Sequence, residues 1–134
     1  MIENKIHAVD SDSVAKIVQK AKISTNTYLV EIQGKEIQSW KDYIAEIEEK
    51  FEFPTSCISS IDRYLDWIRD LGWLKKDSYV LVIYDYKNFL EQDISLKKMI
   101  MEDFGDCILP WWQEEVKICV AGGKEKAFNV YIVE

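Results

Sequence analysis

The sequence predicts an α/β domain built on a mostly parallel sheet. Three observations carry that expectation. Segments with strand-like patterning alternate with segments of helical period along the whole chain. One of them, "SYVLVIYD" at 78–85, is an almost unbroken apolar run rich in β-branched and aromatic residues, as a strand buried on both faces requires. The chain has 134 residues, 48% of them hydrophobic, which suits one domain with a real core and no need of a metal or disulfide staple.

The elements follow in order. "NKIHAVDS" predicts a short strand. "SVAKIVQKAK" predicts a short helix capped by Ser11 or Ser13, with Val14, Ile17 and Val18 inward. "TYLVEIQG" alternates as a strand and ends at Gly34. In "SWKDYIAEIEEKF" the residues Trp40, Tyr43, Ile44, Ile47 and Phe51 share one helical face, with Ser39 as N-cap, and Pro54 opens a polar loop. In "SSIDRYLDWIRDLGWL" a helical arc of Ile58, Ile61, Tyr64, Leu65, Ile68 and Leu71 opposes a stripe of Asp62, Asp66 and Asp70 flanked by Arg63 and Arg69. Ser59 with Asp62 resembles a capping box, and Gly72 is placed as the helix stop. After the apolar strand, "SLKKMIMEDF" predicts a further helix. In "LPWWQEEVKICVAGG" Pro110 fits a first helical position, Gly122 a C-cap, and Trp112, Val116, Cys119 and Val120 follow helical spacing. Local pattern equally allows a hairpin of "VKICVAG" with "AFNVYIVE"; "AFNVYIV" closes the chain as a strand.

Composition narrows function. With 24 acidic against 17 basic residues the formal net charge is −7, which disfavours nucleic acid as the direct ligand and suits a basic protein partner. Cys57, Cys107 and Cys119 are odd in number and widely spaced, and His7 is the single histidine, so reduced thiols in a cytoplasm are expected rather than disulfides or a zinc site. The N-terminal stretch lacks the apolar core of a signal peptide, and no run reaches membrane-spanning length. No P-loop, GxGxxG, HExxH or GxSxG motif is present, and no cofactor is implied. Gly122–Gly123 is expected as a helix stop rather than a phosphate cradle, and Cys57 as an inert thiol. Asp62 and Asp66 admit an acid/base reading, but neighbours on one exposed helix face see similar surroundings, whereas such chemistry needs two different ones.

Read from Ile32, the run "IQGKEIQSWKDYIAEIEEKFEFPTSCISSIDRYLDWI" resembles the barstar family of intracellular ribonuclease inhibitors. A strand ends in a glycine turn, an I-x-S-x-x-D helix start follows at Ile37, Ser39 and Asp42, and a proline closes that helix. A loop then leads into a helix carrying D-x-x-x-D, and the segment aligns without a gap from Ile32 to Ile68. Gly72 and Trp73 follow it, and Asp85, Tyr86, Lys87, Asn88 and Phe89 form an acidic–aromatic–basic–amide–Phe string after the next strand. The resemblance implies a barstar-like domain at 27–134, with a three-stranded parallel sheet packed against helices, and favours the helix over the hairpin for 110–121. Residues 1–26 become an N-terminal strand–helix extension, added to the sheet edge or used for self-association.

The resemblance also implies a non-enzymatic role. A cytoplasmic immunity protein, alone or in a 1:1 complex, would plug the active site of a basic nuclease toxin domain. Asp66 would be the main phosphate mimic and Asp62 its neighbour. Ser56, Cys57, Ser59, Ser60, Arg63 and Arg69 would shape the contact, with Glu114 or Glu115 supplying a distal carboxylate. The family often has an aromatic residue and G-x-N before this helix and Trp before the second Asp. Here Ser56, Cys57, Ile58, Ser59, Ser60 and Leu65 stand at those places, which implies a toxin whose mouth differs in shape or charge from barnase. The alternative is a barstar-like interaction module with a non-toxin basic partner.

Overall fold

The computed structural model describes residues 3–134. Four strands, β1 (Ile6–Val9), β2 (Thr27–Gln33), β3 (Ser78–Tyr84) and β4 (Ala127–Val133), form one all-parallel sheet in the order β1-β4-β3-β2. The helices are α1 (Ser11–Ile23), α2 (Trp40–Lys50), α3 (Ile61–Ile68), α4 (Ile94–Asp103) and α5 (Val116–Cys119). The α/β class and the parallel sheet are as expected, and the extension supplies the fourth strand, pairing Ile6 with Val130 and Val9 with Val133 at the edge.

Residue parity sorts the sheet into two faces. Val30, Ile32, Tyr79, Leu81, Ile83, Phe128 and Val130 enter the main core with α2, α3 and α4. Val80, Val82 and Val133 face the other way, where Val14, Val18 and Ala21 of α1 cover them. Tyr79 to Ile83 are all buried, so β3 is enclosed on both sides as its apolar run demanded.

Several ends differ from expectation. Asp10, not Ser11 or Ser13, caps α1, accepting from Ser13 N at 2.7 Å, and that N–H holds its carboxyl below the usual value. Ser39 does cap α2, accepting from Asp42 N at 3.1 Å. Pro110 does not begin a helix. It lies within one helical path that runs from α4 through wide turns at Phe104–Ile108 and Trp111–Glu115 into α5. Turns closed by longer hydrogen bonds carry the path past a residue that cannot donate. Trp112 and Val116 face the core, but Cys119 and Val120 are exposed because the helix ends there. Gly122 turns with φ +76°, and a Cβ on Gly123 would strike Val116 O, so the glycine pair is a stop. At Gly34 a Cβ would sit 2.5 Å from Tyr84 O, which is why the strand must end in glycine. Among the described residues no helix is long and apolar enough to cross a membrane.

Candidate functional site

The segment between α2 and α3 is short, polar and tied down along its length. Glu48 Oε1 accepts the N–H of Cys57 and, at 3.2 Å, the hydroxyl of Ser56. Trp40 Nε1 donates to Ile58 O at 2.8 Å, Arg63 Nη1 to Ser56 O at 3.0 Å, and Trp67 Nε1 to Thr55 Oγ1 at 2.9 Å. The loop is therefore clamped from α2 on one side and α3 on the other. Cys57 is its internal anchor. The side chain is fully buried, and burial, reinforced by the Glu48 charge, pushes its thiol up to about 11. A thiol so placed is inert, as expected, and seats the loop from beneath rather than from its surface.

The loop sets where α3 begins. Ser60, one residue later than expected, is the N-cap and accepts from Arg63 N at 3.1 Å. Tyr64 and Ile68 point into the core, and the buried hydroxyls of Tyr64 and Tyr43 share a hydrogen bond of 2.7 Å. The helix ends at Ile68. Trp112 Nε1 donates to Ile68 O at 3.1 Å and Trp111 Nε1 to Arg69 O at 2.8 Å, so two indoles from the last helical path satisfy its C-terminal carbonyls. Leu71, not Gly72, takes the left-handed stop at φ 54°, held there by a fully buried side chain. Asp70 lies beyond the helix and accepts from Gly72 N at 3.1 Å.

The remaining residues make an outward surface. Asp66 is 74% exposed at its side chain and, among the described residues, pairs only with Arg69 Nη2 at 3.3 Å. Arg69 is held by Nε to Leu65 O at 3.0 Å and lies 5.4 Å from the Trp111 ring centroid. Asp62 is exposed and has no hydrogen-bond or ion-pair partner among the described residues. Ile58 and Ile61, expected on the inner arc, are instead at the surface, 49% and 39% exposed. The wheel fails at Ile58 because the helix has not yet started there. Ser56 and Ser59 are exposed, Ser60 half-buried. Among the described residues no group of three or more His, Cys, Asp or Glu side chains is arranged to hold a metal ion.

A family model described as Barstar (barnase inhibitor) matches residues 27–122, which takes in β2, the clamped loop, α3 and the helical path that caps it. The chain belongs to the barstar family. No curated protein and no solved structure shows a significant match. The barstar match ends before β4, and β1 and α1 precede it, so part of the sheet lies outside the matched stretch. Of the residues that the barstar resemblance singled out, the fold gathers Ser56 to Ser60, Asp62, Arg63, Asp66 and Arg69 on and around one short helix. Glu114 and Glu115 are both exposed on the second wide turn, following Trp111, which contacts Arg69.

Trp40, Glu48, Thr55, Trp67 and Trp111 position this surface and were not singled out for it from sequence. The helical period of Trp40 matches Tyr43 and Ile47 and predicts a core residue. The other four give no local pattern, since each acts through hydrogen bonds to another segment. The string at 85–89 proves structural: Asp85 takes φ 53°, Gln38 Nε2 donates to Asn88 O at 2.8 Å, and Phe89 is buried. His7 stacks on Tyr131 at 4.7 Å, with Nε2 2.9 Å from Asn129 Oδ1, on the sheet face that α1 covers.

Proposed function

We propose that this chain is an immunity protein that neutralises a cognate nuclease by inserting α3 and the loop before it into the enzyme's active site. One observation carries the reading. Among the described residues Asp62 has no partner, and the exposed Asp66 has only the half-buried Arg69, on a helix whose inner side is fixed in the core. An exposed pair of this kind contributes little to stability, so Asp66 can exchange Arg69 for the cations of an RNA- or DNA-binding mouth at small cost. Against guanidinium groups a carboxylate makes charge-assisted, often bidentate hydrogen bonds. The net charge of −7 steers approach to a basic enzyme. Because the loop is already ordered, association spends little conformational entropy on it. Glu114 and Glu115 extend the acidic surface. The complex is 1:1, and three free cysteines suit a reducing cytoplasm.

The same geometry argues against acid/base catalysis, because both carboxylates are open to solvent on one face. The test is a binding and inhibition assay against candidate basic nuclease domains, comparing wild type with Asp62→Ala/Asp66→Ala at low and moderate salt. Tight, salt-sensitive binding that collapses in the double variant, with loss of inhibition, is expected. Equal binding by both proteins would place the partner surface elsewhere and reject the active-site plug.

A further inference from the structure

On the face of the sheet that α1 covers, the packing changes along the strands. Val82 and Val133, toward the strand ends, cluster with Val14 and Val18 of the helix. Toward the strand starts the same face turns polar, at Thr27, Ser78 and Asn129, while α1 reaches its last turn. A cavity of about 280 Å³ lies between them. Ile17, Ala21 and Val80 make its apolar wall, and Lys20, Ser24 and Tyr131 join the three polar strand residues in the rest. Its helical wall comes from the extension before residue 27, so the cavity exists because α1 covers this face.

In a chain with 24 acidic residues, no carboxylate lines this cavity. Its polar groups are donors without acceptors. Among the described residues Lys20 has no ion-pair partner, and the hydroxyls of Ser78 and Tyr131 have no hydrogen-bond partner. Burial raises the Tyr131 phenol above its ordinary value, so it keeps its proton. Asn129 Oδ1 accepts from Lys5 N at 3.0 Å and lies 2.9 Å from His7 Nε2, which leaves the Asn129 amide N–H groups to donate elsewhere. Thr27 Oγ1 donates to Ser24 Oγ at 3.0 Å, so Ser24 also has a proton to give.

We propose that this cavity binds a small organic monoanion, a carboxylate on a short branched aliphatic chain. The carboxylate pairs with Lys20 and accepts from Asn129 and the neighbouring hydroxyls, through charge-assisted hydrogen bonds. The chain lies on Ile17, Ala21 and Val80. A cation would meet only donors here. Drug-sized ligands fill about 300–1,000 Å³, so this one is smaller. The carbonyl end of α1 opposes an anion with about half a charge, which one lysine outweighs for a monoanion. A doubly charged phosphate would lose that balance and leave the apolar wall uncovered.

The test titrates the intact protein with sodium isobutyrate at constant ionic strength, read by NMR. Saturable shifts of the Asn129 side-chain amide, the Ser78 N–H and the Ile17 methyls are expected, half complete at roughly millimolar concentration. At about ten times that concentration the melting temperature should rise by about 4 °C. Isobutyramide, of the same shape without the charge, should bind about tenfold more weakly, as should isobutyrate to Lys20→Met. Lys20 is exposed, so that variant keeps the fold. Tyr131→Phe, which retains the ring stacked on His7, should weaken binding several-fold. Equal shifts from isobutyramide, or undiminished binding by Lys20→Met, would overturn the anion site. Inorganic phosphate binding more tightly than isobutyrate would overturn the organic-acid class. No saturable shift up to about 0.1 M would leave the cavity to water and refute the proposal.

Discussion

Glu48→Ala tests how the contact surface is held. The Glu48 carboxylate accepts two donors from the loop, the Cys57 N–H in a partly buried setting and the Ser56 hydroxyl at the surface. Losing the second costs little, because water replaces it. Losing the first strands a partly buried amide, at about 1–3 kcal/mol. A loss of about 2 kcal/mol is therefore expected, and for a chain of this length that lowers the melting temperature by roughly 6–10 °C. Glu48→Gln keeps an acceptor oxygen without the charge and should lose about half as much. Denaturant unfolding measures the total, and hydrogen exchange at the Cys57 amide locates it. Lost protection at Cys57 with an unchanged midpoint would make the loop a locally opening unit. Stability within about 0.5 kcal/mol of wild type, with Cys57 still protected, would refute the claim that Glu48 holds the loop.

Two further outcomes follow from the interior. Tyr43→Phe or Tyr64→Phe alone leaves one buried hydroxyl without its partner at 2.7 Å, a loss of about 1–3 kcal/mol, whereas the double variant should return close to wild type. Additive losses in that double-mutant cycle would show that the two hydroxyls do not depend on each other. Stability should also fall on the alkaline side. Burial raises the Cys57 thiol from 9.0 to about 11 and the Tyr79 phenol from 10.0 to about 12. The unfolded chain releases these protons first, so the contribution is whole below about pH 9 and is lost as pH rises toward 12. Melting temperatures measured across this range should decline together with the appearance of tyrosinate absorbance. A flat profile between pH 9 and 11 would contradict the burial of these groups.

Patterns that act over three or four residues were legible. Ser39 before Trp40, the helical period of Tyr43, Ile44 and Ile47, and the alternation of β2 all rest on local geometry, and each is found in the structure. Errors arose where a distant segment decides a local choice. Ser60 rather than Ser59 caps α3 because Trp40, Glu48 and Arg63 hold the preceding residues out of helical conformation. Leu71 accepts a left-handed backbone because its side chain is needed in the core, which no turn preference anticipates. Pro110 looks like a helix start, yet the helix passes it by widening its turns. The carboxylate stripe was visible, but that Asp62 lacks a partner among the described residues while Asp66 has Arg69 depends on side-chain directions that a helical wheel does not contain.

The sequence allows residues 1–26 either an added sheet edge or a self-association surface, although β3 already holds the answer. Residues 79–83 are apolar at every position, so both faces of that strand need cover. The helices after β2 turn their buried residues to one face, where Tyr79, Leu81 and Ile83 lie. Val80 and Val82 face away from them, and no helix after β2 enters the cluster around those two side chains. An amphipathic helix with Val14, Val18 and Ala21 in line supplies the missing layer. β1 delivers it there by pairing with β4, at the edge farthest from β2. Helix α1 therefore covers the face of the sheet opposite α3, the helix that carries Asp62 and Asp66.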